Sequence, residues 1–435
     1  MDKFVVEGGH PLEGSVEVCG SKNAVLPVMA AALLTSEPVR IANAPRLADV
    51  DTMMDLLREL SCEAERDAGG NIVLRAGGKP SHHADWEHVR KMRGSVTVLG
   101  PLLARSHRAE VSLPGGCVIG VRPIDVHLKG LEALGARVRI ERGYVVAEAP
   151  RGGLRGAKVY LGTAFGSSVT GTENVMMAAA LAKGTTVIQC AACEPEVVDL
   201  GQCLVSMGAR IQGLGSPRIE VEGVAELHRA SWSVIPDRIE AGTYLIAGAM
   251  CGGRVRVQGC RPDHLAALLD RMYEARIPFE SGEGWLETQP YHPRDPLQRP
   301  RSTDVTTLPY PGFPTDLQAQ WTALMTLADG LSVITENIYP DRYMHIAELA
   351  RLGAQVRRQG TTSFVQGTPK LSGAPVTASD LRASAALVLG ALVAEGRTEI
   401  HRVYHIDRGY ERIEERLSSL GAVIERASER EPAEV

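Results

Sequence analysis

The sequence predicts an α/β protein of two inside-out domains, each built from three related modules with helices inside and sheets outside. Three observations carry this expectation: the length, a long-period repeat, and helices that lack a polar face. At 435 residues the chain exceeds the roughly 250 to 300 residues that one hydrophobic core sustains, so two domains are the default. Apolar residues make up 44% and charged residues 23%, a globular balance that leaves no room for a large disordered fraction.

The repeat is about 70 residues long. Its first half is a helix of small and apolar residues that opens on polar residues and closes on a turn before a strand. Copies start at Lys22, Met92, Gly171, Arg238, Thr315 and Ser379. The second half is an amphipathic helix that runs into Leu-Gly-Ala and then a strand, plainest at 131–140, 204–213, 349–358 and 417–426 and degenerate at 56–65 and 268–280. Each module therefore reads strand, helix, strand, helix, strand.

Stretches such as Asn174 to Ala182, Ala241 to Met250 and Ala383 to Leu392 have almost no polar face. A helix that is apolar all round is buried on every side, which puts the helices inside and the sheets outside.

Composition also excludes partners. Lys and Arg number 47 against 52 Asp and Glu, a net charge of −5, so no global basic surface exists to hold nucleic acid or an anionic membrane. No apolar run approaches the ~20 residues of a membrane span, and the N-terminal stretch lacks the apolar core and cleavage site of a secretory signal. The eight cysteines are scattered through apolar stretches and read as reduced, hence cytoplasmic. Cys190 and Cys193 form a C-x-x-C with no second pair or nearby His to complete a zinc site, and read as structural.

Polar residues recur at equivalent helix starts: Lys22, Arg93, Thr170, Glu240, Asp316, and Asp380 with Arg382. If equivalent ends face one cleft, their unpaired N–H groups and dipoles favour an anion there. Thr170 and Glu240 also read as simple helix caps, and so does Asp316 taken alone. Cations are unfavourable at a helix N-terminus, so Lys22, Arg93 and Arg382 argue for a bound anion that offsets them. Cys117 lies among Gly115, Gly116 and Gly120, between Pro114 and Pro123, a loop with little local reason to be ordered until a ligand closes it. Arg122, five residues on, favours the thiolate.

KNAVLP at Lys22, the stretch Ser112 to Gly130, EPEVVD at Glu194, PDRIEAGTY at Pro236, FPTDLQAQ at Phe313, DLRASAALV at Asp380 and YHIDRGYERIEE at Tyr404 resemble the UDP-N-acetylglucosamine 1-carboxyvinyltransferase family. The resemblance is collinear over nearly the whole chain. It implies two inside-out α/β domains joined by a double crossover, one spanning 22–235 with the cysteine loop 112–123, the other 1–21 with 236–435. It implies transfer of the enolpyruvyl group of phosphoenolpyruvate to the 3-hydroxyl of UDP-N-acetylglucosamine, the first committed step of peptidoglycan precursor synthesis.

By that resemblance Cys117 is the acid, the site of a covalent phosphoenolpyruvate adduct and the target of fosfomycin, and Asp316 is the base. Lys22, Arg122 and Arg408 would clamp the phosphate, Lys22 and Arg408 counting also as catalytic, and Arg342 and Arg382 the carboxylate, where a planar fork suits the task. Asn23 would serve phosphoenolpyruvate and the acceptor sugar, and Arg93 the acceptor's phosphates. Arg122, Pro123, Ile124, Asp125 and Val126 would receive uracil, Ser168, Val169 and Thr170 would lie along the diphosphate, and Ile338 would line the sugar pocket beside Asp316. The mechanism needs no metal or other cofactor.

The chain departs from the family's common pattern at Thr163 to Asn174, where Thr170 replaces a glycine, at Cys193 to Glu196, and at Gly94, where alanine is usual. These departures bear on the acceptor and leave the 3′-hydroxyl of UMP as the alternative. The related transfer to shikimate 3-phosphate lacks the cysteine loop. A catalytically inactive nucleotide-binding paralogue is the reading from another class.

Overall fold

The computed structural model describes residues 2–113 and 124–428. It divides into two compact units, one of residues 2–19 and 236–428, the other of 20–113 and 124–235. The chain passes between them after Cys19 and again after Ile235. Within the first unit Asp237 N donates to Cys19 O at 2.8 Å, and within the second Ser21 N donates to Ile235 O at 2.7 Å. Each unit thus ties together its own two ends of the crossing.

Among the described residues each unit carries three four-stranded sheets with one common pattern. Thr185–Gln189 pairs in parallel with Lys158–Tyr160 and antiparallel with Arg218–Glu222, which pairs antiparallel with Arg210–Gln212. The same order recurs around Val39–Ala42, Arg108–Ser112, Val255–Gln258 and Leu331–Thr335. Each sheet therefore holds one strand more than the strand-helix-strand-helix-strand reading supplies. The extra strand is the return of a hairpin. Arg142 and Gly143 both have positive φ, 51° and 82°, in a two-residue turn that closes Glu141 against Tyr144. The sequence pattern merges the two strands because the turn interrupts the alternation only briefly.

In the remaining sheet the N-terminal strand Asp2–Glu7 takes the place that the hairpin's return strand holds elsewhere. It lies between Arg397–His401 and Val423–Ser428, with Phe4 opposite Ile400 and Val6 opposite Ile424.

Helices fill the interior of each unit. Residues 171–180, 239–250, 318–325 and 382–393 are buried without interruption, as expected for helices with no polar face. Leu99–Ser106 and Val169–Ala180 approach so closely that a Cβ at Gly100 would lie 2.3 Å from the backbone oxygen of Asn174. Each unit has its own core, one centred on residues such as Val28, Leu102 and Met176, the other on Leu245, Trp321 and Leu389. None of the described helices is long and apolar enough to cross a membrane.

Candidate active site

Three helix starts are capped one to three positions before the recurring polar residue, and a fourth by the recurring Asp380 itself. Ser21, Ser168, Asp237 and Asp380 accept from first-turn N–H groups, at 3.3 Å for Ser21 to Ala24 and 2.8 Å for Asp237 to Ile239. Thr170 and Glu240 are therefore not caps. Neither is Asp316, which lies inside a 3₁₀ turn, Thr315–Leu317, that has no side-chain cap. With capping excluded, these side chains are committed to other partners.

In the unit of 2–19 and 236–428, Asp316 meets two arginines. Arg342 Nη1 donates to Asp316 Oδ1 at 2.7 Å and Arg382 Nη2 to Oδ2 at 3.1 Å. The arginine side chains are 8% and 2% exposed, so these are ion pairs removed from water. Burial alone would raise the Asp316 carboxyl, but the Arg382 and Arg342 guanidiniums outweigh it and hold the group well below the usual carboxylate range. Arg342 Nε and Arg382 Nε and Nη1 are buried and make no hydrogen bond among the described residues.

Partners that the sequence did not single out hold this cluster. Arg342 Nη1 also donates to Thr315 Oγ1 at 3.0 Å, and Thr315 donates to Glu336 Oε2 at 2.9 Å. Glu336 is fully buried and accepts from Thr307 Oγ1 at 2.7 Å and from the backbone N–H groups of Ile338 and Tyr339 at 2.8 and 2.9 Å. The Arg382 guanidinium lies 5.3 Å from the Tyr410 ring centre. Tyr410 Oη is 2.9 Å from Thr243 Oγ1, and Gln320 Nε2 donates to Asp316 O at 2.9 Å. Arg408 ends the turn Val403–Arg408, two residues before Tyr410.

In the other unit Lys22 pairs with Asp49 at 2.6 Å, the Asp49 side chain being 4% exposed. Lys22 and Arg382 do not by themselves call for a bound anion at their helix starts. Carboxylates of the chain itself, Asp49 and Asp316, already offset them. Asn23 follows Lys22 in the first turn of the same helix, and Arg93 opens the 3₁₀ turn Arg93–Val98. A Cβ at position 94 would lie 3.0 Å from Leu26 Cδ1, so glycine there leaves Leu26 its place.

Around His127 the strip assigned to uracil meets the strip assigned to diphosphate. Ile124 precedes the helix Asp125–Ala133, Val126 is half-buried in its first turn, and Ser168 caps the helix that contains Val169 and Thr170. Thr170 Oγ1 lies 3.2 Å from His127 Nε2, and Asn174 Nδ2 lies 2.9 Å from His127 Nδ1. Asn174 also accepts from Gly100 N at 2.7 Å and donates to Val96 O at 2.9 Å. Burial, with Arg93 nearby, pushes His127 down to about 3, so it is neutral, accepting at Nδ1 and donating from Nε2. Glu173, one residue before Asn174, is fully buried, and burial followed by Glu196 and Glu194 pushes its carboxyl well up.

Cys117, Arg122 and Pro123 lie outside the described residues. The structure thus brings Asp316, Arg342 and Arg382 together in one unit, and Val126, Ser168 and Thr170 around His127 in the other. Ile338 is half-buried on the loop tied to Glu336.

Sequence and structure comparisons relate the chain to known proteins. The family model of EPSP synthase (3-phosphoshikimate 1-carboxyvinyltransferase) matches residues 6–417. The UDP-N-acetylglucosamine 1-carboxyvinyltransferases of Anaeromyxobacter sp. (strain Fw109-5) and Anaeromyxobacter dehalogenans (strain 2CP-1) are each 55% identical over 428 residues, covering 98% of this chain and 99% of theirs. The enolpyruvyl transferase NikO from Streptomyces tendae superposes with a TM-score of 0.88 at 25% identity over 99% of both chains. EPSP synthase from Acinetobacter baumannii shares the fold, with a TM-score of 0.72 at 16% identity over 98% of this chain and all of that one. Matched by that model over nearly its whole length and by full-length relatives at 55% identity, the chain belongs to the EPSP synthase family of enolpyruvyl (1-carboxyvinyl) transferases.

Proposed function

We propose that the chain transfers the enolpyruvyl group of phosphoenolpyruvate to the 3-hydroxyl of UDP-N-acetylglucosamine, releasing phosphate, as a cytoplasmic enzyme of peptidoglycan precursor synthesis. The observation that carries this reading is the 55% identity to full-length UDP-N-acetylglucosamine 1-carboxyvinyltransferases. The buried group of one carboxylate and two arginines supports it, because the chemistry needs a base beside a carboxylate receptor.

In the addition step Cys117 gives its proton to the vinyl carbon, the acceptor oxygen bonds to the neighbouring carbon, and Asp316 takes the hydroxyl proton. In the elimination the former vinyl carbon returns a proton to the Cys117 thiolate, the double bond re-forms as the bond to the phosphate oxygen breaks, and phosphate leaves with the proton that Asp316 took. Arg342 and Arg382 hold the carboxylate; Lys22, Arg122 and Arg408 hold the phosphate. Asn23, Arg93, Arg122, Pro123, Ile124, Asp125, Val126, Ser168, Val169, Thr170 and Ile338 form the nucleotide-sugar site.

The test is phosphate release from phosphoenolpyruvate with UDP-N-acetylglucosamine or with UMP. Release with the nucleotide sugar is expected. Release with UMP alone would overturn the acceptor, and release with neither would overturn the reaction. Cys117→Ala is expected to abolish both turnover and alkylation by fosfomycin, and Cys117→Asp to lose alkylation alone.

A further inference from the structure

Asp316 occupies the two arginines that the reading above assigns to the substrate's carboxylate. It uses one donor of each, at 2.7 and 3.1 Å, whereas a carboxylate lying in an arginine fork uses two. The donors it leaves, Nε of Arg342 and Nε and Nη1 of Arg382, are buried and make no hydrogen bond among the described residues. A buried guanidinium short of acceptors is costly, so the pair is built for an acceptor that reaches further than Asp316 does. The Asp316 side chain itself is 24% exposed.

We propose that Asp316 is the resident counter-ion of Arg342 and Arg382, and that the carboxylate of phosphoenolpyruvate displaces it, releasing the residue that then serves as the base. The inference rests on the functional reading above.

One carboxylate replaces another at the guanidiniums, so the exchange leaves their charge balance intact. What changes is Asp316. Beside two cations its lone pairs are committed and it is a poor proton acceptor. Released, it remains partly buried without them, and burial alone favours the protonated form. The hydroxyl of the acceptor therefore loses its proton only when the enolpyruvyl donor is seated. The other groups that face the arginines are Asp380 and Glu336 on Arg342, and Tyr410 and Asp237 on Arg382.

The test compares phosphoenolpyruvate binding by calorimetry to Cys117→Ser, which cannot form the sulfur adduct, and to Cys117→Ser with Asp316→Asn. Removing the competing carboxylate is expected to tighten phosphoenolpyruvate binding by about tenfold or more, a free-energy change of about 1.4 kcal/mol. Inorganic phosphate, which has no carboxylate, is expected to gain less than about twofold. Unchanged or weaker phosphoenolpyruvate binding would overturn the displacement, and so would an equal gain for phosphate, which would mark a general charge effect. Failure of both proteins to bind phosphoenolpyruvate would overturn the functional reading as well. Should Asp316→Asn not fold, the carboxyl ¹³C resonance of Asp316 in the Cys117→Ser chain decides. Its titration is expected to move to higher pH when phosphoenolpyruvate is added, and a titration that stays put would overturn the proposal.

Discussion

Thr315 and Glu336 join the turn that carries Asp316 to the loop that carries Ile338, through a hydroxyl-to-carboxylate hydrogen bond of 2.9 Å. Glu336 has no exposure to water, so every donor aimed at it depends on it. Glu336→Ala is expected to cost about 3 kcal/mol in chemical denaturation, because several buried donors lose their acceptor at once. It should also lower kcat/KM for the nucleotide sugar by roughly tenfold or more, as the loop and the base shift together. Glu336→Gln keeps an oxygen for the Ile338 and Tyr339 N–H groups and should recover most of the stability. A Glu336→Ala protein with parent kinetics would show that the loop is positioned by other means.

Asp316 pairs with both Arg342 and Arg382, so Asp316→Asn should destabilise the protein by about 3 kcal/mol by removing the carboxylate they share. Adding Arg382→Met to that variant removes one of the stranded charges and should recover part of the loss, a non-additivity readable by urea denaturation. Strictly additive losses would argue against the pairing. The pH dependence has a definite sign. Because the folded carboxyl is depressed, its stabilisation is present above the unfolded value of about 3.9 and is lost as pH falls through the lower folded one. The parent's advantage over Asp316→Asn should therefore shrink in acid.

Glu240 gives the opposite sign. Burial first, then Asp237, raises its carboxyl to about 7, although Arg416 and the Cys19 N–H pull the other way. A raised carboxyl favours folding fully below the unfolded value of about 4.3 and loses that contribution as pH rises to about 7. Glu240→Gln should match the parent near pH 4 and exceed it by about 3 kcal/mol at pH 8, by thermal or chemical denaturation. A constant difference across that range would exclude a neutral Glu240.

Asn174 spans two helices and a histidine, accepting from Gly100 and donating towards Val96 and His127. Asn174→Ala should cost about 2 to 3 kcal/mol by stranding these buried groups. It should also weaken nucleotide binding through Thr170, which shares the His127 ring. Unchanged nucleotide affinity in a folded Asn174→Ala protein would separate the two.

Alkylation tests the role proposed for Cys117 against four buried cysteines. Burial pushes Cys62 and Cys260 up to about 11 and Cys203 and Cys251 up to about 12, so all four are thiols at neutral pH. Limited alkylation at pH 7 followed by peptide mass spectrometry should modify Cys117 before any of them. First modification at Cys203 or Cys251 would count against the assignment.

The architecture was legible because burial of a whole helix leaves its mark on every residue of that helix. From Leu381 to Val393 almost every side chain is apolar or small, and from Arg382 onward all are buried. The hairpin returns were not legible, since a two-residue turn such as Arg142 and Gly143 barely disturbs a strand pattern. At the site, residue types and the family resemblance named Asp316, Arg342 and Arg382, but not their pairing. Arg382 lies 66 positions from Asp316, and nothing local in either stretch records that separation. Asp49, Glu336, His127 and Tyr410 were missed for the same reason. An acid in the first turn of a helix, as Asp49 is, reads as a dipole partner until Lys22 is found beside it.

The placement of Asp2–Glu7 between Arg397–His401 and Val423–Ser428 bears on how the chain is made. Asp2–Glu7 belongs in a sheet whose other strands are synthesised only after residues 20–235. The described residues of 20–235 have all their sheet partners among themselves and can fold while synthesis continues. Phe4 and Val6 must wait with their apolar side chains in water until Arg397–His401 and Val423–Ser428 have been made. A nascent chain truncated before Arg397 is therefore expected to hold one protease-resistant unit and one that is still digestible.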